Sequence, residues 1–139
     1  MIGIKLTTLG ALVLLAFPAA GWLRAEDRMH AGMWEITTSA GPKPITGNTC
    51  FTPAMVEFGN SSASALREAA EKSSAKKGCT LKDFKAGETS VSMIQICGAK
   101  SLTVLSTYAK TSFETVSTST EAGVSRVLRM TGRRTGDCK

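Results

Sequence analysis

One histidine and one tyrosine are all the sequence offers of two residue types on which much acid–base catalysis rests. With His30 alone, a two-histidine mechanism cannot be built, and any serine or cysteine nucleophile would have to share this one ring. The four cysteines never stand as C-x-x-C, which argues against a thiol-redox enzyme. Their long spacings, beside a single histidine, argue against a zinc site. No glycine-rich phosphate loop is present, and no cofactor is expected. Aromatic residues make up only 6% of the chain and rarely fall between basic ones. The stacking platform of single-stranded nucleic-acid binders is therefore missing, and nucleic acid is not expected as a partner. After residue 25, Leu, Ile, Val and Phe together number nineteen in 114 positions, roughly 17%, below the ~20% at which a chain becomes suspect as a self-sufficient globule. These shortages exclude a large multidomain enzyme, a polytopic membrane protein and a coiled coil.

The apolar residues that do exist are concentrated at the start. Residues 1–5 carry one positive charge, and residues 6–17 are uncharged and mostly apolar, interrupted by Thr7, Thr8 and Gly10. Pro18 ends that run, and Ala19, Ala20 and Gly21 precede Ala25-Glu26-Asp27. A charged start, an apolar stretch of about a dozen residues and a small-residue exit read as a secretory signal peptide. The run is shorter than the ~20 residues of a spanning helix, so the processed protein is not expected to cross a membrane. Cleavage is expected near Ala25. Residues 1–25 are thus a signal peptide, and residues 26–139 a single β-rich domain with fifteen basic and eleven acidic side chains.

Cys50, Cys79, Cys97 and Cys138 all lie in that domain. An even number of cysteines in an exported chain reads as two disulfides. Three pairings are possible. Cys79–Cys97 is favoured because both sit at the edges of adjacent extended segments, and Cys50–Cys138 would then tie the last strand to the first third of the chain.

Residues 33–39 alternate with period two, placing Trp34, Ile36 and Thr38 on one face. Gly41-Pro42-Lys43-Pro44 is a turn, and residues 45–51 form a second extended run. Thr52-Pro53 reads as an N-cap followed by proline at the first helical position, for one or two turns. Residues 61–75 are the clear helical stretch, with Glu68 and Lys72 spaced for an i,i+4 pair and Gly78 to end it. Strands follow at 79–84, 89–97, 101–109, 112–118 and 124–131, separated by short, mostly glycine-containing turns. Such spacing predicts an antiparallel meander with one wet and one dry face. The expected fold is mainly β, with a minor α part: a curved antiparallel meander or partly closed barrel, one short helical segment between the second and third strands, and two disulfides.

The order of motifs is recognisable. Ala31-Gly32-Met33-Trp34-Glu35, then Thr49-Cys50-Phe51-Thr52-Pro53, then Cys79, Cys97 and a closing Thr131-Gly132-Arg133-Arg134-Thr135-Gly136-Asp137-Cys138 span nearly the whole mature chain. This layout resembles domain-of-unknown-function family 3617, a bacterial group of small exported proteins. The resemblance implies a Gram-negative periplasmic setting and agrees with the disulfide framework; it supplies no catalytic residues. Ala54 departs from it, since an acidic residue often follows the Thr-Pro and would favour the helix start.

His30 is expected on the surface of a frayed mature N-terminus. Trp34 reads as a core anchor with a secondary possibility of ligand contact, and Arg133-Arg134 as a solvated pair able to grip an anionic group. Met33, Met55, Met93 and Met130 could line a soft apolar pocket. The leading expectation is a non-enzymatic periplasmic binding or interaction module, a monomer, whose partner is an envelope protein or an apolar small molecule. The ligand form of that reading predicts an apolar cavity between sheet and helix, and the partner form an exposed apolar patch or unpaired edge strand. The alternatives are a small exported hydrolase using His30, with Glu35 and Arg133 as conceivable helpers, and a structural envelope protein with no discrete site. The triplet Asn60-Ser61-Ser62 matches a glycosylation acceptor and carries no weight on its own.

Overall fold

The computed structural model describes residues 27–139. The signal peptide and cleavage point expected from the sequence lie outside the described residues. The chain runs β1 (Gly32–Ser39), β2 (Ile45–Phe51), α1 (Pro53–Gly59), α2 (Ala63–Lys76), β3 (Thr80–Ala86), β4 (Ser90–Cys97), β5 (Lys100–Tyr108), β6 (Ser112–Glu121) and β7 (Val124–Gly136). All seven strands form one sheet in the order β2-β1-β7-β6-β5-β4-β3, with antiparallel neighbours throughout. The second half of the chain is the expected meander. Its last strand then pairs with β1, which brings the start of the domain beside its end. β2 and β3 are the two free ends of the sheet, so it stays open and no barrel closes.

Local chemistry explains the helices. Thr52 caps α1 through its side-chain oxygen, which accepts from the Met55 amide at 3.4 Å, and Pro53 occupies the first turn without wasting a donor. Ser62 caps α2 in the same manner. The Glu68–Lys72 pair forms at 2.6 Å. Gly78 (φ +69°) closes α2, with the Gly78 and Cys79 amides donating to the Ala75 and Ser74 carbonyls. The two helices between β2 and β3 are thus the short one expected after Thr52-Pro53 and the longer one expected over residues 61–75.

The dry face is scarcer than the alternation suggested. Among the described residues, the buried apolar side chains are Trp34 and Val56 alone; Gln95, Ser74 and Ser106 are buried polar ones. Gln95 donates to Ser74 at 2.7 Å, which seats α2 on β4. Ser106 and Thr115 share a hydrogen bond of 2.8 Å across β5 and β6. Two disulfides, Cys50–Cys138 and Cys79–Cys97, span 88 and 18 residues. The longer one ties β2 to the tail beyond β7; the shorter one closes the β3–β4 hairpin opposite its turn.

Candidate functional site

Trp34, in β1, is fully buried and positions the neighbourhood. Its indole packs edge-on against Phe51 at 5.7 Å between centroids and tilted against Phe113 at 5.6 Å. Its Nε1–H donates to the His30 carbonyl at 3.1 Å, so the polar end is satisfied. Trp34 thus has no surface left for a ligand and stands behind Phe51 and Phe113.

In front of those two rings lies an apolar hollow of about 210 Å³, between α1 and the sheet. Phe51, Phe113 and Tyr108 line its sheet side, Met55 and Val56 its helix side, and Met29 and Thr115 complete it. The Thr115 hydroxyl is already engaged by Ser106. No charged side chain lines the hollow. Of the four methionines expected around a pocket, Met55 alone is present, joined by Met29. Met33 instead lines a separate groove on the opposite side of β1, beside the C-terminal tail.

Met29 is held by a clamp. Asn60 Oδ1 accepts from the amides of Arg28 at 2.9 Å and Met29 at 3.0 Å, and Asn60 Nδ2 donates to the Met29 carbonyl at 2.9 Å. Arg28 beside it is 1% exposed. Its Nε donates to Gly87 O at 2.7 Å and its Nη1 to Gly59 O at 3.0 Å and Ser61 O at 2.9 Å. Two of those acceptors sit where α1 ends, at the negative end of the helix dipole. Among the described residues Nη2 has no partner and no carboxylate reaches the guanidinium. On the other side, the His30 amide donates to Lys110 O and the Lys110 amide to Arg28 O. The segment before β1 is therefore docked against α1 and the turns at Gly87 and Lys110; the frayed terminus expected there is not found.

His30 itself has a side chain 47% exposed, with Nε2 3.4 Å from Asp27. Lys110 Nζ is 3.3 Å from the same carboxylate. Hydrogen bonds from Lys110 and His30 hold the Asp27 carboxyl below the usual carboxylate range. Glu35 pairs with Arg133 at 3.2 Å on the exposed face of the sheet. The proposed Glu–His–Arg grouping is thus split between two places. Arg133 and Arg134 diverge as well: Arg133 is well exposed, whereas Arg134 is three-quarters covered and donates to Ala31 O at 2.7 Å and to Asp137 at 2.6 Å. Successive residues of a strand face opposite sides, so the two guanidiniums do not form one grip. Among the described residues no group of three His, Cys, Asp or Glu side chains is placed to hold a metal ion. No described helix is long and apolar enough to cross a membrane.

Arg28, Met29 and Asn60 carry no pattern that sequence reading could have used. The signals near them, the helix-ending pair Gly59-Asn60 and the triplet Asn60-Ser61-Ser62, do not point to a clamp. Comparison with known proteins adds the family: the description "protein of unknown function (DUF3617)" matches residues 29–138. The chain belongs to the DUF3617 family. The match begins at Met29 and reaches Cys138, so it takes in the clamped residue, the hollow and both disulfides. No curated protein and no solved structure matches the chain. Within this DUF3617 domain, the hollow under α1 has walls that are nearly all apolar, and the buried Trp34 stands behind two of them.

Proposed function

We propose that this DUF3617 protein is a non-enzymatic binding module of the cell envelope that holds a small apolar group in the hollow under α1. In this reading the chain is exported, loses residues 1–25 and works in the periplasm as a disulfide-bridged domain. The single observation that carries the reading is the lining: six apolar or aromatic side chains, Tyr108 among them, the engaged Thr115 hydroxyl and no charge, between helix and sheet. An uncharged moiety gains from leaving water there, while a charged one would lose its hydration without a partner. At about 210 Å³ the space is smaller than the ~300–1,000 Å³ of drug-sized ligand sites and larger than the ~150 Å³ that admits benzene. It suits one aromatic ring or a short acyl segment, with any polar head left outside. Met29 and Met55 give the walls the adaptability of thioether chains.

The test is a titration of the mature, oxidised protein, labelled at its methionine methyls, with indole and with 1-octanol. Saturable shifts of the Met29 and Met55 methyls, with Met93 and Met130 unmoved, are the expected result. Methyls that stay in place up to the solubility of both probes would overturn the ligand reading. Export is tested separately, by fractionation and by the mass of the purified protein: a cytoplasmic, reduced chain retaining residues 1–25 would remove the envelope from the proposal.

A further inference from the structure

The sheet has two free edges, and only one is guarded. β3 is interrupted by a bulge between Lys82 and Lys85, with Asp83 at φ +47°, and it presents Lys82, Asp83 and Lys85. α2 runs against it. Bulges, edge charges and covering helices are the devices by which natural sheets prevent edge-to-edge pairing. β2 has none of them. From Ile45 to Phe51 it carries no charge and no proline, and pairs with β1 in unbroken register. Ile45 to Thr49 are all exposed, with Ile45 at 75%. Among the described residues no other strand or loop backbone bonds to its outer side. Gly47, in the middle of this strand, has open space where a side chain would stand and no unusual φ. Nothing within the chain therefore requires glycine there, and a bare position in a strand commonly marks close approach by another backbone.

We propose that β2 is a pairing edge and that its occupant is a second copy of this chain, the two β2 strands meeting antiparallel about a two-fold axis. Self-pairing sets every residue of the strand against another from the same strand, so it is penalised wherever the strand is charged. β3 would set lysines and aspartate against themselves in that arrangement; β2 sets only neutral residues together. A pairing centred on Asn48, the middle residue of β2, uses the whole strand. It places Ile45 of each copy opposite Phe51 of the other, covering the most exposed large apolar side chain among the described residues. Where the sequence led to the expectation of a monomer, this proposal makes a dimer with one continuous fourteen-stranded sheet. The dimer is read out independently of the hollow, although the two meet at Phe51, which lines the hollow from the end of β2.

Sedimentation of the mature, oxidised protein from micromolar to millimolar concentration reads the outcome directly. The wild-type chain is expected to pass from monomer to dimer over that range, with β2 amides gaining protection from hydrogen exchange as it does so. Asn48→Lys brings two like charges together at the axis and is expected to raise the dimer Kd by roughly tenfold or more, with thermal unfolding unchanged. Thr46→Lys, away from the axis, provides a second variant should Asn48→Lys fold poorly. A protein that remains monomeric to millimolar concentration overturns the proposal, as does a dimer that both lysine variants leave intact.

Discussion

The Phe113 ring packs against Gly132, its partner in the β6–β7 register, so closely that a Cβ on the glycine would overlap the ring at Cε1. The same ring is packed by Trp34 and faces the hollow. The absent side chain at Gly132 therefore sets how deeply Phe113 sits and, through it, where one wall of the hollow stands. Gly132→Ala is expected to cost about 2 kcal/mol through overpacking. Adding Phe113→Ala should recover part of that loss, because the clash is gone. Urea melts of the two single variants and the double variant measure the coupling; strictly additive losses would refute it.

Asn60→Ala removes three hydrogen bonds to the segment carrying Arg28 and Met29. At roughly 1 kcal/mol net for each, with water recovering some, the expected loss is about 2 kcal/mol. The loss should be local as well as global: the Met29 and His30 amides are expected to exchange faster in the variant, while amides of β5 and β6 keep their rates relative to global unfolding. Hydrogen exchange followed residue by residue tells the two apart.

Among the described residues only Trp34 and Val56 are buried apolar side chains, and the disulfides supply much of what the interior does not. By loop entropy the 88-residue bridge contributes about 4.5 kcal/mol and the 18-residue bridge about 3 kcal/mol. Those figures compare with a total of ~5–15 kcal/mol for an ordinary domain. Reduction should therefore unfold the chain or leave it without fixed tertiary packing. The near-ultraviolet circular dichroism of Trp34 is the measurement, and a signal indifferent to reductant would contradict the expectation.

The Asp27 carboxyl, lowered by Lys110 and His30, links the docked segment to pH. Because its folded value lies below its unfolded one, its contribution is present above the ordinary carboxyl pKa of about 4 and is lost as pH falls through the lower folded value. The group is fully exposed, so the effect is confined to its own segment and weakened by salt. Protection of the His30 amide, its exchange taken relative to the intrinsic rate at each pH, should fall under acid in the wild type, and the Asp27→Asn variant should show that lower protection already at neutral pH.

Strand positions were largely legible because alternation reports a half-buried pleat, and β1, β2 and β4 begin and end within a residue or so of where the period places them. β7 outruns its expected end by five residues. Gly132, Arg133, Arg134 and Gly136 look like a loop in sequence, yet the strand uses them: Gly132 admits the Phe113 ring, Gly136 takes φ +157°, and the arginines bond Glu35 and Ala31. The neighbour relation between β1 and β7 left no trace in the period, since alternation tells which face a residue occupies and nothing about which strand lies beside it. The hollow was legible as a class of feature, an apolar space between helix and sheet. Its clamp was not, because Arg28 and Asn60 act through backbone carbonyls and amides that every sequence contains.

The placement of β1 between β2 and β7 has a kinetic side. Glu35 and Arg133, which face each other across that junction, are 98 residues apart. The meander from β3 to β7 can assemble from neighbouring hairpins, but β1 has nowhere to dock on that side until β7 exists, and Cys138 arrives after β7. The first strand of the domain must wait for the last. Closing so long a loop slows folding, and the wait leaves Trp34 uncovered for as long as it continues.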